Sequence, residues 1–467
     1  MGSHMFPSTS PLFSRRHWLT RAGAGFGWLA AAHLAHSQEQ RQGQATALLA
    51  PFAPKAKSVI YLFMHGGPSQ VDIFDPKPLL KKYDGQKLPD SFHHLQLQFT
   101  DVKNQKVLAS KQSFRRCGKS GLEICDSLPQ LQSIADELCV LRGCHHDIFN
   151  HTPGIWLMNT GHDRMGRPSL GAWVSYGLGS ESANLPAFVV MNDGPLKPGS
   201  GVWSHGFLPA KHQGCLFDPG TTPIPNLDRP RELAGSNQRA ILDYMQNLNR
   251  THLQNRDNDS QLEARIASYE LAFRMQASAP EAVDLSREPK NLRAAYGNGF
   301  GVQCLIARRL VERGVRFIQI YNGCGPDGWD THGDNHNRQT KMMQGIDRGL
   351  TMLIKDLRQR GLLEQTLVIW GGEFGRTPTS EGQNGRDHSP YGFSMFLAGG
   401  GTKEGFCYGA TDDFGFRATE GRLHTHDLNA TILHLLGIDH EKLTWRHAGR
   451  DFRLTDVAGT VVHSILA

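Results

Sequence analysis

Thr366–Gly401 reads TLVIWGGEFGRTPTSEGQNGRDHSPYGFSMFLAGGG. The run Leu367-Val368-Ile369-Trp370 is short, apolar on both faces and rich in β-branched residues, as a strand buried inside a sheet requires. It stops at Gly371-Gly372, with Glu373 just beyond. A loop rich in Gly, Pro and Asn follows and carries Arg376, Arg386, Asp387 and His388. A second apolar run, Phe393 to Ala398, then ends in three glycines. Acids, arginines and a histidine thus collect where a strand ends, the place where open α/β sheets bind ligands. The plain alternative is a solvated loop between two strands, which has no need of these groups beside so many glycines.

The same pattern recurs on either side. A helix over Gln303–Arg313 stops at Gly314, before a strand over Val315–Ile320; a helix over Asn337–Arg360 stops at Gly361, before the strand of the opening stretch. Helix, glycine and strand twice over predict an α/β fold, with a mainly parallel sheet covered by helices. Upstream, Val59–Met64 reads as the first core strand and ends at His65-Gly66-Gly67, followed by Asp72 and Asp75. Residues 80–125 read as irregular. Leu128–Leu138 suits a short helix, and Cys139–Leu141 a strand that leads into His145, His146 and His151. Ile155–Met158 suits a helical turn, Pro186–Met191 another buried strand, and Asn192–Pro225 long loops. Apolar positions Leu233, Ile241, Tyr244, Leu248 and Leu253, then Leu262, Ile266, Tyr269 and Phe273, have roughly helical spacing and predict a helical insertion at 229–290. Asp427–Leu436 reads as a closing helix before Gly437.

The 467 residues carry a formal charge of +6, too mild and too dispersed for a nucleic-acid partner. Residues 1–5, MGSHM, resemble an expression-tag remnant. In 6–37, Arg15-Arg16 precede the small, apolar stretch Ala22–Ala35, which resembles a twin-arginine export signal cleaved near Ser37. That stretch is too short and Gly-rich for a permanent membrane span. The expectation is a periplasmic or secreted protein, with 38–57 as linker and 58–467 as one domain. None of the eight cysteines forms a CxxC pair; Cys117 and Cys125 are close enough in sequence to close a short loop.

Three strand ends therefore carry candidate ligands: His65, Asp72 and Asp75 after the first; Asp327, Asp330, His332, Asp334 and His336 after the second; Glu373, Asp387 and His388 after the third. Carboxylates mixed with imidazoles suit Zn²⁺ or Mn²⁺, whereas carboxylates alone favour Mg²⁺ or Ca²⁺. Arg376 and Arg386 are placed either to clamp a tetrahedral oxyanion or to pair with the neighbouring acids. His145 and His146 read as supporting or surface groups. Cys304-Leu-Ile-Ala-Arg308 lies inside a helix and reads as core packing.

The strings LFMHGGPSQVDIFDPKP, GWDTHGD, TLVIWGGEFGRTP, GRDHSPYGFSMFLAGGG and THDLNATILHLLGI resemble a secreted bacterial family known as domain of unknown function 1501. That family is similar to the alkaline phosphatase and sulfatase superfamily, and the likeness runs from about Ser58 to Gly437. It implies a mixed α/β sheet between helices with two metal ions at the strand ends. It places metal ligands at His65, with Asp72 near it, and at Asp330, His332, Glu373 and His388, with Asp387 as ligand or support. Phe374 stands where the superfamily has a ligating His, and His65 where it has an Asp. Counting back from Thr160-Gly161, the nucleophile's place falls at His151, with Thr152 beside it. Thr152 as nucleophile, His151 as ligand or base, and an activated water all remain open. The resemblance implies an exported, metal-dependent hydrolase of small-molecule or glycan sulfate or phosphate esters. The alternative is a hydrolase fold without catalysis, used for binding or surface attachment.

Overall fold

A computed structural model describes residues 51–97, 100–218, 224, 227, 236–254, 260–326 and 328–467. The tag remnant, the export signal, most of the linker, Leu233 and Asp327 lie outside the described residues.

The principal strands are β1 (Ser58–Met64), β2 (Leu138–His145), β3 (Phe188–Asn192), β4 (Cys215–Leu216), β5 (Phe317–Asn322), β6 (Thr366–Gly371), β7 (Gly375–Arg376), β8 (His388–Ser389), β9 (Phe393–Ala398), β10 (Phe406–Tyr408) and β11 (Leu423–His424). The main helices are α1 (His151–Thr160), α2 (Leu170–Leu178), α3 (Ser236–Gln254), α4 (Ser260–Val283), α5 (Phe300–Glu312), α6 (Asn335–Gln359) and α7 (Thr425–Leu435). Among the described residues one nine-stranded sheet runs β10-β2-β9-β6-β1-β5-β3-β4, with β11 added beside β2. Every pairing in it is parallel except those of β9, which runs against both β2 and β6. This is the mainly parallel mixed sheet expected from the sequence.

β1 shows why both faces must be covered. All seven of its residues are buried. Ile60, Leu62 and Met64 pack into the layer built with α5 and α6, while Val59, Tyr61 and Phe63 pack into the opposite layer with α1, α2 and α7. The period of two in a strand divides the apolar run between two helical layers.

Several elements differ from the sequence reading. α1 is a ten-residue helix, not a single turn. Asn150 caps it by accepting the Thr152 N–H, and Pro153 is tolerated because it sits in the first turn. Within 80–125 a hairpin pairs Phe114–Cys117 with Leu122–Cys125. Its register sets Cys117 opposite Leu122 and Cys125 opposite Phe114, so the two cysteines do not close a loop and both are free thiols. The end of the linker is fastened down: the Lys55 and Ala56 N–H groups donate to the Leu435 carbonyl and Lys57 N–H to that of Gln365. Arg308 in α5 is buried, as core packing predicts, but as an ion-pair hub to Glu288, Glu312 and Asp356. Among the described residues no helix is long and apolar enough to cross a membrane.

Candidate metal centre

β1, β5 and β6 end at one rim because they are in register: Met64 lies beside Asn322, and Phe63 beside Gly371. The loops that leave these ends must therefore meet. Gly66 shows how closely. Its φ is +117°, and a Cβ there would stand 2.5 Å from the Asp330 nitrogen, so only glycine fits. The third loop folds back as the short pair β7–β8, which sets His388 opposite Arg376. It is laced to the Asp330 loop by Arg386 N–H to Thr331 O at 3.1 Å and Asn335 N–H to Asn384 O at 3.0 Å.

Asp330 is the centre of the result. His151 Nε2 lies 3.0 Å from its Oδ2, while His332 Nε2 and His388 Nε2 lie 3.0 and 3.2 Å from its Oδ1. One donor atom from each of His151, Asp330, His332 and His388 falls within 4.8 Å of all the others. Each ring is held from behind. His151 Nδ1 meets Glu373 Oε1 at 2.6 Å, His388 Nδ1 meets the Phe149 carbonyl at 2.7 Å, and His332 Nδ1 meets Glu381 Oε2. Those partners are acceptors, so each neutral ring keeps its proton on Nδ1 and turns the Nε2 lone pair toward Asp330. Three lone pairs facing a carboxylate repel one another unless a cation or protons lie between them. Imidazole held by a carboxylate or carbonyl behind it is the arrangement by which proteins orient metal ligands. Three imidazoles and one carboxylate suit Zn²⁺ or Mn²⁺, and the residues fit such an ion.

Burial raises the Asp330 carboxyl's pKa, but hydrogen bonds from the three imidazoles, with Arg376, outweigh it and hold it well below the usual carboxylate range, so positive charge between the rings and Asp330, as protons or as a cation in their place, is what the cluster demands. Burial pushes His388 down to about 3, so its ring is neutral at ordinary pH. Burial lowers His332, yet Asp330 and Glu381 more than compensate and raise it. Glu373 is fully buried; burial raises its carboxyl, and His151 brings it below its ordinary value.

The other sequence candidates are distributed around this core. Glu373 is not in the four-residue group; it accepts the Gly66 N–H and orients His151. His65 is buried beside His151, their rings stacked at 6.1 Å, with its Nε2 lacking a hydrogen-bond partner. Asp387 falls with His332 and Glu381 in an adjoining group that could also hold a metal ion, and it accepts from Thr100 at 2.8 Å. Arg376 reaches Asp330 Oδ1 at 2.7 Å, and its remaining contacts are the carbonyls of Gly66, Gly67 and Arg386. Thr152 is half-buried next to His151, and its backbone N–H donates to Asn150 Oδ1 at 3.3 Å. Asp72 and Arg386 are not brought to the centre. They pair with each other at 2.9 Å, with Asn335 also on Asp72, because a buried carboxylate takes the nearest guanidinium. Asp75 pairs with Lys77 at 3.0 Å. Phe374 packs its ring on His388 at 4.5 Å.

Sequence reasoning missed Glu381 and Lys197. Glu381 sits in an unpatterned polar loop, and its signal was only its place between the same two strands as Asp387. Lys197, half-exposed, holds Asp330 Oδ2 at 3.0 Å. His146 proves a support: its buried ring bonds the Glu373 carbonyl oxygen.

A family model described as "Protein of unknown function (DUF1501)" matches residues 56–466. The chain belongs to the DUF1501 family. No curated protein matches the sequence of this DUF1501 member. Solved structures similar to it include the lipoteichoic acid synthase LtaP from Listeria monocytogenes, at 9% identity and TM-score 0.38, covering 88% of this chain and 80% of that one. The PsFucS1 sulfatase from Pseudoalteromonas sp. shares 13% identity at TM-score 0.37, covering 86% and 72%. Alkaline phosphatase from the Antarctic bacterium TAB5 shares 11% at TM-score 0.32, covering 76% and 94%.

Proposed function

We propose that this DUF1501 protein is an exported, metal-dependent hydrolase of sulfate or phosphate esters. The observation that carries the reading is the convergence of three Nε2 atoms upon Asp330, each ring held at Nδ1 by an acceptor. His151, Asp330, His332 and His388 would hold a divalent ion, with Zn²⁺ or Mn²⁺ preferred. A bound ion of this kind supplies Lewis acidity toward an ester oxygen and lowers the pKa of water.

The chain's own groups do the rest. Asp330 lends negative charge to the cluster, and Arg376 at 2.7 Å balances it and fixes its rotamer. Glu373 fixes the His151 ring and takes up positive charge that develops on it. With the His151 ring turned to Asp330, water is the favoured nucleophile. Choice of a sulfate or phosphate ester is supported by the motif resemblance and by the cations that flank Asp330. Export is supported by the twin-arginine pattern in residues 6–37.

A non-catalytic reading is favoured by one observation: His151 occupies the start of α1, where the superfamily carries its nucleophile. Metal analysis of the purified protein, followed by assays on aryl sulfates and aryl phosphates with and without chelator, decides between them. Chelator-sensitive turnover is the expected result. Metal-free, inert protein would end the hydrolase reading.

A further inference from the structure

We propose that Lys197 is the anion-contacting residue of this centre, the group that recognises the sulfuryl or phosphoryl end of a substrate. The inference rests on the ester-hydrolase reading above and adds the residue that reads the substrate's charge. Arg376, Arg386 and Lys197 approach the Asp330 loop, and of these three Lys197 is the exposed one. Arg386 is 1% exposed and is taken up by Asp72 and the Thr377 carbonyl. Arg376 is fully buried, and its N–H groups already serve Gly66, Gly67, Arg386 and Asp330. Lys197 has 47% of its side chain exposed, yet its ammonium rests 3.0 Å from Asp330 Oδ2. It thus stands at the border between the cluster and solvent.

The loop that carries it is built to hold it there. Asp193, at the loop's start, accepts from Gly323 N–H at 2.7 Å, Cys324 N–H at 2.9 Å and Asn322 Nδ2 at 3.0 Å. These bonds tie the Lys197 loop to the chain that leaves β5 for Asp330. Leu196 is buried in the core beside it, and Trp203 closes the far side against Tyr321 at 5.8 Å between ring centroids. Pro195 and Pro198 bracket Leu196-Lys197 and limit the backbone further. A lysine stem on a pinned backbone delivers a mobile charge to a fixed place. Once Asp330 serves a cation, its hold on Lys197 weakens, and the ammonium becomes available to an oxyanion.

The test is calorimetric titration of inorganic sulfate and inorganic phosphate into the metal-loaded full chain, comparing wild type with Lys197→Ala, Lys197→Gln and Lys197→Arg. Metal content and melting temperature are measured on each. The expected result is a loss of anion affinity of about tenfold or more in the Ala and Gln variants, with Arg retaining most of it, as removal of a charge-assisted hydrogen bond predicts. Metal content should be unchanged, because Arg376 still holds Asp330. Equal affinity in wild type and both neutral variants overturns the proposal, as does a wild type that binds neither anion. Loss of metal in Lys197→Gln also overturns it, for Lys197 would then act through Asp330. Failure of the ester-hydrolase reading is seen separately, as absent turnover of aryl esters, while anion binding is still measured directly.

Discussion

His151 Nδ1 lies 2.6 Å from Glu373 Oε1, a contact between residues 222 positions apart that is fully buried on the carboxylate side. The carboxylate also accepts the Gly66 N–H at 3.0 Å, so it is fixed independently of the ring that it orients. Glu373→Gln keeps the shape but removes the charge. It should weaken metal affinity about ten- to hundredfold, in line with losses of the group behind a ligating histidine. A competition titration with a chromogenic chelator measures this; an unchanged dissociation constant would detach Glu373 from the ligand set.

Asp330 touches all three histidines, Arg376 and Lys197. Asp330→Asn should abolish stoichiometric metal binding and, with it, any chelator-sensitive turnover. In the wild-type protein, removing the ion should lower the melting temperature. A ligand present at a hundred times its dissociation constant stabilises the folded state by about 2.7 kcal/mol. Differential scanning calorimetry with and without chelator reads the shift, and identical curves would show that no ion is held by the folded chain.

The Asp72–Arg386 pair is buried at 2.9 Å and lies outside the candidate four-residue group, so its loss should be felt as stability. Asp72→Asn leaves the guanidinium without its counter-charge and should cost about 3–5 kcal/mol, read as a lowered urea midpoint. Burial raises the Asp72 carboxyl's pKa, but Arg386 and the donors of Ser110, Ser69 and Asn335 outweigh burial and bring it below its ordinary value. A depressed carboxylate contributes fully above the unfolded pKa of about 3.9 and is lost as pH falls through the lower folded value. Wild type should therefore lose this increment only in acid, and Asp72→Asn should flatten that part of the pH profile.

Gly66→Ala tests the close approach of two loops. A methyl at φ +117° must displace the Asp330 nitrogen 2.5 Å away. The variant should be destabilised by about 1–3 kcal/mol from backbone strain alone, and its metal content should fall because Asp330 moves. Normal metal stoichiometry would show that the cluster tolerates displacement of its central loop.

The strand-end geometry was legible because the deciding strands are unambiguous. Val59–Met64 and Leu367–Trp370 are apolar on both faces, as strands of a sheet covered on both sides are. Their parallel register then obliges the groups after Met64, Asn322 and Gly371 to share one rim. Asp330, His332 and His388 followed from that. Asp72 and Arg386 were read into the site because an acid or arginine after a strand looks alike whether it faces a ligand or a partner; only coordinates pair them. α1 was shortened because Thr152-Pro153-Gly154 reads as a turn, although a proline in the first helical turn costs nothing. Glu381 and Lys197 lie in loops without periodicity, and their roles depend on tertiary contacts with His332 and Asp330.

β9 runs antiparallel beside β6, so the chain leaves the sheet after Gly371 and re-enters at Phe393 next to the strand it left. Residues 372–392 consequently form one excursion with both ends anchored on adjoining strands. It bears His388, one of the four grouped residues, together with Glu373, Arg376, Glu381 and Asp387. Because this one excursion also bonds Gly66, Gln70, Thr331 and Asn335, any change in its length or fold is transmitted at once to the two loops it touches.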